Sequence, residues 1–186
     1  MTASDQTLND AMDQYAAGED AAFAVVYERL GPRLLAFLRR GIDDASAEEL
    51  LQQTFLQMHL ARERYRTGLD VVPWAFAIAR RLRIDLHRKA GREIVGGPGD
   101  ESPSDDPSPH EALAAREAAT SLQRGLRELP ASQRDAFELV KNAGLSHAQA
   151  AEALGTTVGA IKVRVHRACE ALRVLASYAS GDDDGT

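Results

Sequence analysis

Between Thr157 and Arg167 the chain places Lys162, Arg164, His166 and Arg167 on one short stretch, with Val158 and Val163 interleaved. Ammonium and guanidinium groups bind phosphate oxygens, and Arg also reads the acceptor edge of guanine bidentately. A Val methyl can meet the thymine C5 methyl. None of these tasks breaks a covalent bond. Taken outward from a packed face, Thr157, Val158, Lys162, Val163, His166 and Arg167 are candidates for a DNA groove, with Arg164 beside them. Whether each Arg reads a base or clamps a phosphate stays open at this level.

The flanking residues say how such a stretch is held. Ser146 and Gln149 form a capping box that starts a short helix. Gly155 suits a left-handed turn, and Thr156 or Thr157 can cap a second helix, leaving its first amides available to a phosphate. Ala150, Leu154, Ile161, Val165 and Leu172 have the spacing to pack two helices together. Leu145–Leu172 therefore reads as a helix-turn-helix with a basic second helix. The rival reading is an ordinary helical hairpin with a solvated basic face.

Charge along the chain is uneven. The formal net charge is −6 over 186 residues. Residues 1–59 carry 4 basic and 10 acidic groups, residues 60–92 carry 9 and 3, and residues 93–120 carry 1 and 7. Phosphate attraction acts over about a Debye length, roughly 8–10 Å, so the local surplus in Arg62–Arg92 decides. The acidic parts must face something other than duplex DNA, or water.

Composition and breakers divide the chain. Hydrophobic residues make up 44% and aromatics 5%, without long β-branched runs, so the expected fold class is all-α. Gly96–Pro109 (GGPGDESPSDDPSP) holds Gly, Pro, Ser and acids at nearly every position, the composition of a flexible linker. The expected parts are a domain over residues 8–92, an acidic linker over 93–109 and a second domain over 110–178. In the first domain Phe23, Val26, Tyr27 and Leu30 recur at helical spacing, and Gly31-Pro32 is expected to interrupt before Leu34–Arg40. Ser46 with Glu49 reads as a capping box for a helix reaching about Tyr65. The loop Arg66–Val72 follows, and Pro73 suits the first turn of a helix whose buried stripe is Ala75, Ile78, Ala79, Leu82 and Leu86. In the second domain one helix from about His110 ends before Pro130. The next spans Ala131–Asn142 with Phe137 and Val140 inward.

Several function classes drop out. No carboxylate pair stands beside a nucleophile, and His59, His87, His110, His147 and His166 show no paired ligand spacing. Cys169 is the only cysteine, so neither an internal disulfide nor a cysteine zinc cage is possible. It reads as a buried or inert thiol, with redox sensing as the rival. No catalytic residue, metal or cofactor is expected, and the protein is not read as an enzyme. No apolar run approaches the roughly eighteen residues of a membrane span, and no signal layout opens the chain. We expect a cytoplasmic protein.

These motifs, in order, resemble those of the extracytoplasmic-function (ECF) sigma factors, from about Asp20 to Arg173. The acidic-Leu-x-Gln-Glu-x-Phe helix of that family appears as Glu49-Leu50-Leu51-Gln52-Gln53-Thr54-Phe55. Its Pro-Trp-x-x-x-Ile-Ala-Arg helix appears as Pro73–Arg80, followed by Asp85 and Arg88. Leu129-Pro130, Leu154-Gly155 and Lys162–Arg167 supply its C-terminal pattern. The resemblance implies a sigma region 2-like bundle and a region 4-like helix-turn-helix. It implies that Glu48, Glu49, Gln52, Gln53, Phe55 and Leu56 meet the β′ clamp helices of RNA polymerase core. Arg66, Thr67, Gly68, Leu69, Asp70, Trp74, Arg80, Arg81, Arg83 and Arg88 would read and open the −10 element. Thr157, Val158, Lys162, Val163, Arg164, His166 and Arg167 would enter the −35 element, their domain resting on the β flap. The linker would thread toward the active-site cleft and the RNA exit channel.

The resemblance further implies an anti-sigma partner, often membrane-bound, and promoter DNA as ligand. Gln53 and Glu49 stand where the family usually has Glu and Asp, Arg81 where it has Asn, and Val163 where it has Ser. Trp74 is either a wedge for strand opening or a core anchor, with Phe76 the more exposed ring. Two other functions compete: a self-sufficient response-regulator-like transcription factor, and an adaptor that sequesters a partner. The first lacks a β-rich receiver, and the intact basic helix argues against the second.

Overall fold

A computed structural model describes residues 3–40, 42–93, 124–126 and 128–180, and every regular element among them is helical. The chain divides into two compact units. In the N-terminal unit, α1 is Ala3–Ala16, α2 Phe23–Leu38, α3 Asp44–Leu60 and α4 Val71–Glu93. One-turn 3-10 segments, Asp20–Ala22 and Arg62–Arg64, precede α2 and follow α3. Toward the C-terminus come α5, Ala131–Phe137, which runs on as a π turn over Glu138–Asn142, then α6, His147–Ala153, and α7, Val158–Ser180. The expected linker from residue 94 onward, and the helix expected from His110 as far as residue 123, lie outside the described residues. Glu93 belongs to α4 rather than to the linker.

The N-terminal core is made by α1 packing on α2, and by α2, α3 and α4 packing on one another. Leu8 and Met12 enter from α1, Val26, Leu30, Leu34, Phe37 and Leu38 from α2, Met58 from α3, and Val71 and Phe76 from α4. Each such side chain, fully buried, contributes roughly 1.5–3 kcal/mol. That burial explains why α2 passes through Gly31-Pro32 without the expected break. A proline inside a helix costs about 3 kcal/mol. Here Pro32 faces solvent while Leu30, Gly31 and Leu34 on either side are buried, so packing outweighs the cost.

Two further expectations are corrected. The cap of α3 is Asp43, whose carboxylate accepts from the Ser46 amide at 2.9 Å, so Ser46 lies inside the first turn. Glu49 then accepts from Gln53 instead of closing a box with Ser46. The stripe of α4 is also turned from its expected setting. Val71, Val72, Ala75, Phe76, Ala79 and Arg83 are buried, while Ile78, Leu82 and Leu86 are only half-buried. Phe76, expected to be the more exposed ring, is 0% exposed and meets Phe37 edge-on at 5.4 Å.

In the C-terminal unit, α5 packs against α7. Leu126, Leu129 and Ala168 form a cluster against which Phe137, Ala171 and Leu172 rest. Pro130 opens α5, its carbonyl accepting from the Gln133 and Arg134 amides. Ala136 and Leu139 point inward, whereas Phe137 and Val140 are half-buried.

Candidate nucleic-acid and partner interfaces

The turn between α6 and α7 is built from hydrogen bonds its own residues specify. Ser146 Oγ accepts from the Gln149 amide at 3.1 Å, and Gln149 Oε1 accepts from the Ser146 amide at 2.9 Å. This reciprocal pair starts α6 where the sequence predicted. At its other end Gly155 has φ +59°, its amide donates to Glu152 O, and the Thr156 amide donates to Ala151 O. Both bonds together make a Schellman stop, which needs a residue free to adopt the left-handed region. Two residues later Thr157 Oγ1 accepts from the Ala160 amide at 3.2 Å, so Thr157 is the cap of α7.

Below this turn Ala150, Ile161 and Val165 are buried, and Leu154 and Leu172 are half-buried. On α7 and its cap, Thr157, Val158, Lys162, Val163, His166 and Arg167 are all exposed and Arg164 is half-buried, with Val163, His166 and Arg167 opposite the buried stripe. His166 Nε2 lies 3.6 Å from Glu170. Cys169 is partly buried. A capped helix with exposed cations and methyl groups on one side can bind a duplex groove by phosphate contacts and base-edge contacts.

The second group of residues surrounds the loop before α4. Its backbone is held from α1: the Gly68 amide donates to the Asp13 carboxylate at 3.1 Å, and the Val71 amide to buried Asn9 Oδ1 at 3.0 Å. Gly68 has φ +80°, which a side chain would resist. The Tyr65 hydroxyl donates to Leu69 O, and its ring lies 5.3 Å from Trp74. Burial, and then the charges of Asp13 and Asp70, push the Tyr65 hydroxyl well above its ordinary range, so it stays a neutral donor. The Asp70 carboxylate accepts from the Val72 amide and starts α4. The result is a pinned loop with Arg66, Thr67, Gly68 and Leu69 exposed at its tip and half-buried Trp74 beside it.

Not every cation along this stretch reaches solvent. Arg83, expected to meet DNA, is 6% exposed. Its Nη1 donates to Phe37 O at 3.2 Å and its guanidinium sits 4.2 Å from the Phe37 ring centroid. It closes the carbonyl end of α2, where carbonyls lack helical donors and positive charge is favoured. Arg62 is held by Asp20 at 2.8 Å over the Tyr15 ring. Arg64, Arg66, Arg81, Arg88 and Lys89 remain exposed and Arg80 half-buried. The surplus from residue 60 to 92 therefore overstates the cationic surface.

The third group lies on α3. Glu48, Glu49, Gln52 and Leu56 are exposed and Gln53 is half-buried. Glu48 reaches Arg39 at 3.7 Å, and Arg39 also meets Asp44 at 3.1 Å. Phe55 departs from its expected contact role. It is 5% exposed and packs against Phe23 and Tyr27, so it supports this surface from beneath. Leu60, 68% exposed, continues the Gln52–Leu56 row one turn further, and Tyr27 is also exposed. The i, i+4 spacing from Leu56 was the available signal for Leu60. Among the described residues no three His, Cys, Asp or Glu side chains group as a metal site. No described helix is long and apolar enough to cross a membrane.

Comparison with known proteins matches both units. Residues 26–93 match the family described as Sigma-70 region 2, and residues 119–172 the family described as Sigma-70, region 4. The chain is 33% identical over 173 residues to RNA polymerase sigma factor CarQ of Myxococcus xanthus, covering 88% of this chain and 94% of that protein. It is 34% identical over 188 residues to ECF RNA polymerase sigma factor SigF of Caulobacter vibrioides, covering 97% and 100%. Among solved structures it is similar to sigma factor RpoE in complex with the anti-sigma factor NepR from Bartonella quintana. That match has a TM-score of 0.65 and 29% identity, covering 83% of this chain and 96% of that one. The fold also matches CnrH, solved with the cytosolic domain of CnrY, at a TM-score of 0.73 and 24% identity, over 92% and 98%.

Proposed function

We propose, from the premise that the chain belongs to the ECF class of the sigma-70 family of RNA polymerase sigma factors, that it joins core polymerase and directs it to promoters through −10 and −35 elements. The observation that carries this reading is the Thr157-capped helix α7. Its Lys162, Val163, His166 and Arg167 are exposed, while Ile161 and Val165 are buried. The second domain, taken as residues 110–178, holds the upstream duplex; the first, taken as residues 8–92, holds core polymerase and the −10 element.

Each surface has a division of labour. Glu48, Glu49, Gln52, Gln53 and Leu56 of α3, extended by Leu60, present a polar and apolar face suited to a protein partner, the β′ clamp helices. The pinned loop Arg66–Asp70, with Trp74, Arg80, Arg81 and Arg88, meets the separated strands, where aromatic and cationic side chains suit exposed bases and phosphates. The chain itself makes and breaks no bond; polymerisation belongs to the core enzyme. The RpoE structure it resembles was solved with an anti-sigma factor. By that likeness an anti-sigma factor holds this chain away from polymerase in the cytoplasm.

The test is selection from a randomised promoter pool with the chain alone and with the chain plus purified core. The reading predicts that two short elements at fixed spacing are enriched only when core is present. Equal enrichment by the chain alone, or no enrichment with core, counts against it.

A further inference from the structure

Helix α7 contains a feature that its fold does not require. Gly159 is exposed in the first turn, and a Cβ there would find nothing nearer than Thr157 Oγ1 at 4.0 Å. Glycine in a helix interior is unfavourable by about 1 kcal/mol relative to alanine, and by less in the first turn, where Gly159 stands. Its backbone there is not left-handed, and no side chain packs against it closely. The absence of a side chain leaves this part of the helix surface open to whatever approaches from outside.

One turn further, at i+4, stands Val163, 49% exposed. At about 100° per residue, Lys162, His166, Val163 and Arg167 span about 140° of the helix circumference, with Gly159 inside the same sector. Buried Ile161, Val165 and Ala168 lie on the other side. Val163 is thus an apolar, β-branched side chain among cations, beneath a gap in the helix surface. Cations on either side suit phosphate oxygens, and the gap at Gly159 leaves the backbone open to a close approach by base edges. In the major groove the one apolar group a base pair offers is the thymine C5 methyl.

We propose that Gly159 and Val163 form a notch that selects thymine, through its methyl group, at one position of the upstream element. This rests on the reading of α7 as the upstream reader and adds which base it prefers. Val158, 40% exposed, lies at about 140° from Val163 round the helix, off the Gly159 gap.

The experiment uses the full chain with core polymerase and upstream elements enriched from the randomised pool. Replacing deoxythymidine by deoxyuridine removes only the C5 methyl. The proposal predicts one position where this replacement weakens holoenzyme binding about fourfold, the effect of one buried methyl group. Val163→Ala should bind thymine and uracil sites equally, whereas Val158→Ala should keep the difference. Gly159→Ala should raise the unfolding midpoint of the chain yet weaken binding to the thymine site, a combination that a purely structural role does not give. An enriched upstream element with no methyl-dependent position, or full discrimination by Val163→Ala, overturns the notch while leaving the promoter reading intact. Failure to enrich any upstream element overturns both.

Discussion

At the residue scale, two ionised groups sit at helix ends, Asp43 at the start of α3 and Arg83 at the end of α2. Asp43 is held below the ordinary carboxylate range, chiefly by its hydrogen bond with Ser46. A carboxyl whose folded pKa is depressed adds stability above its unfolded value, about 3.9. That contribution is lost as pH falls through the folded value. Asp43→Asn should therefore make the acid limb of a stability-against-pH curve, measured by urea unfolding, slightly shallower, since Asn caps without titrating and the group is exposed; an unchanged acid limb would mean that ionisation of Asp43 adds no net stability at this cap. Arg83 finishes α2 in the other sense. Arg83→Ala leaves the Phe37 carbonyl buried without this donor and should cost about 1–3 kcal/mol in equilibrium unfolding. The charge count across Arg62–Arg92 could not separate Arg83 from its exposed neighbours, because its partner Phe37 lies 46 residues away in sequence. By contrast Ser146, Gln149, Gly155 and Thr157 could be read from sequence, because each bonds within a few residues of itself.

At the element scale the same distinction separates α6 and α7 from α2 and α4. The helix-turn-helix is specified by local caps and a stop, so its pattern showed in the sequence. The continuity of α2 through Pro32, and the rotation of α4 that buries Phe76, depend on contacts with other helices. Local propensity does not encode those contacts. The loop before α4 belongs to this second kind, since α1 supplies both Asp13 and Asn9 to its backbone. Asn9→Ala should lower stability by about 1–3 kcal/mol and speed amide exchange at Val71 more than at α2 amides. Equal acceleration throughout the unit would mean that α1 supports the core without shaping the loop.

At the scale of the whole molecule, a formal net charge of −6 must be reconciled with the proposed DNA binding. In the proposed function, anchoring by a second partner reconciles them: several weak grips on one complex raise the effective concentration of each. Cations on α7 then act locally, and their contribution should be visible as salt dependence. For the holoenzyme on its selected promoter, Lys162→Ala combined with Arg167→Ala should reduce the slope of log affinity against log salt. The expected reduction is about 0.9 for each phosphate that is no longer neutralised, with core binding unchanged; an unaltered slope would place both residues off the phosphates. The most direct test of the central claim is run-off transcription with purified core polymerase on the selected promoter. A defined transcript should appear only when this chain is added, and should disappear when the spacing between the two elements is changed. No promoter-dependent product in the presence of the chain, or the same product without it, would contradict the account.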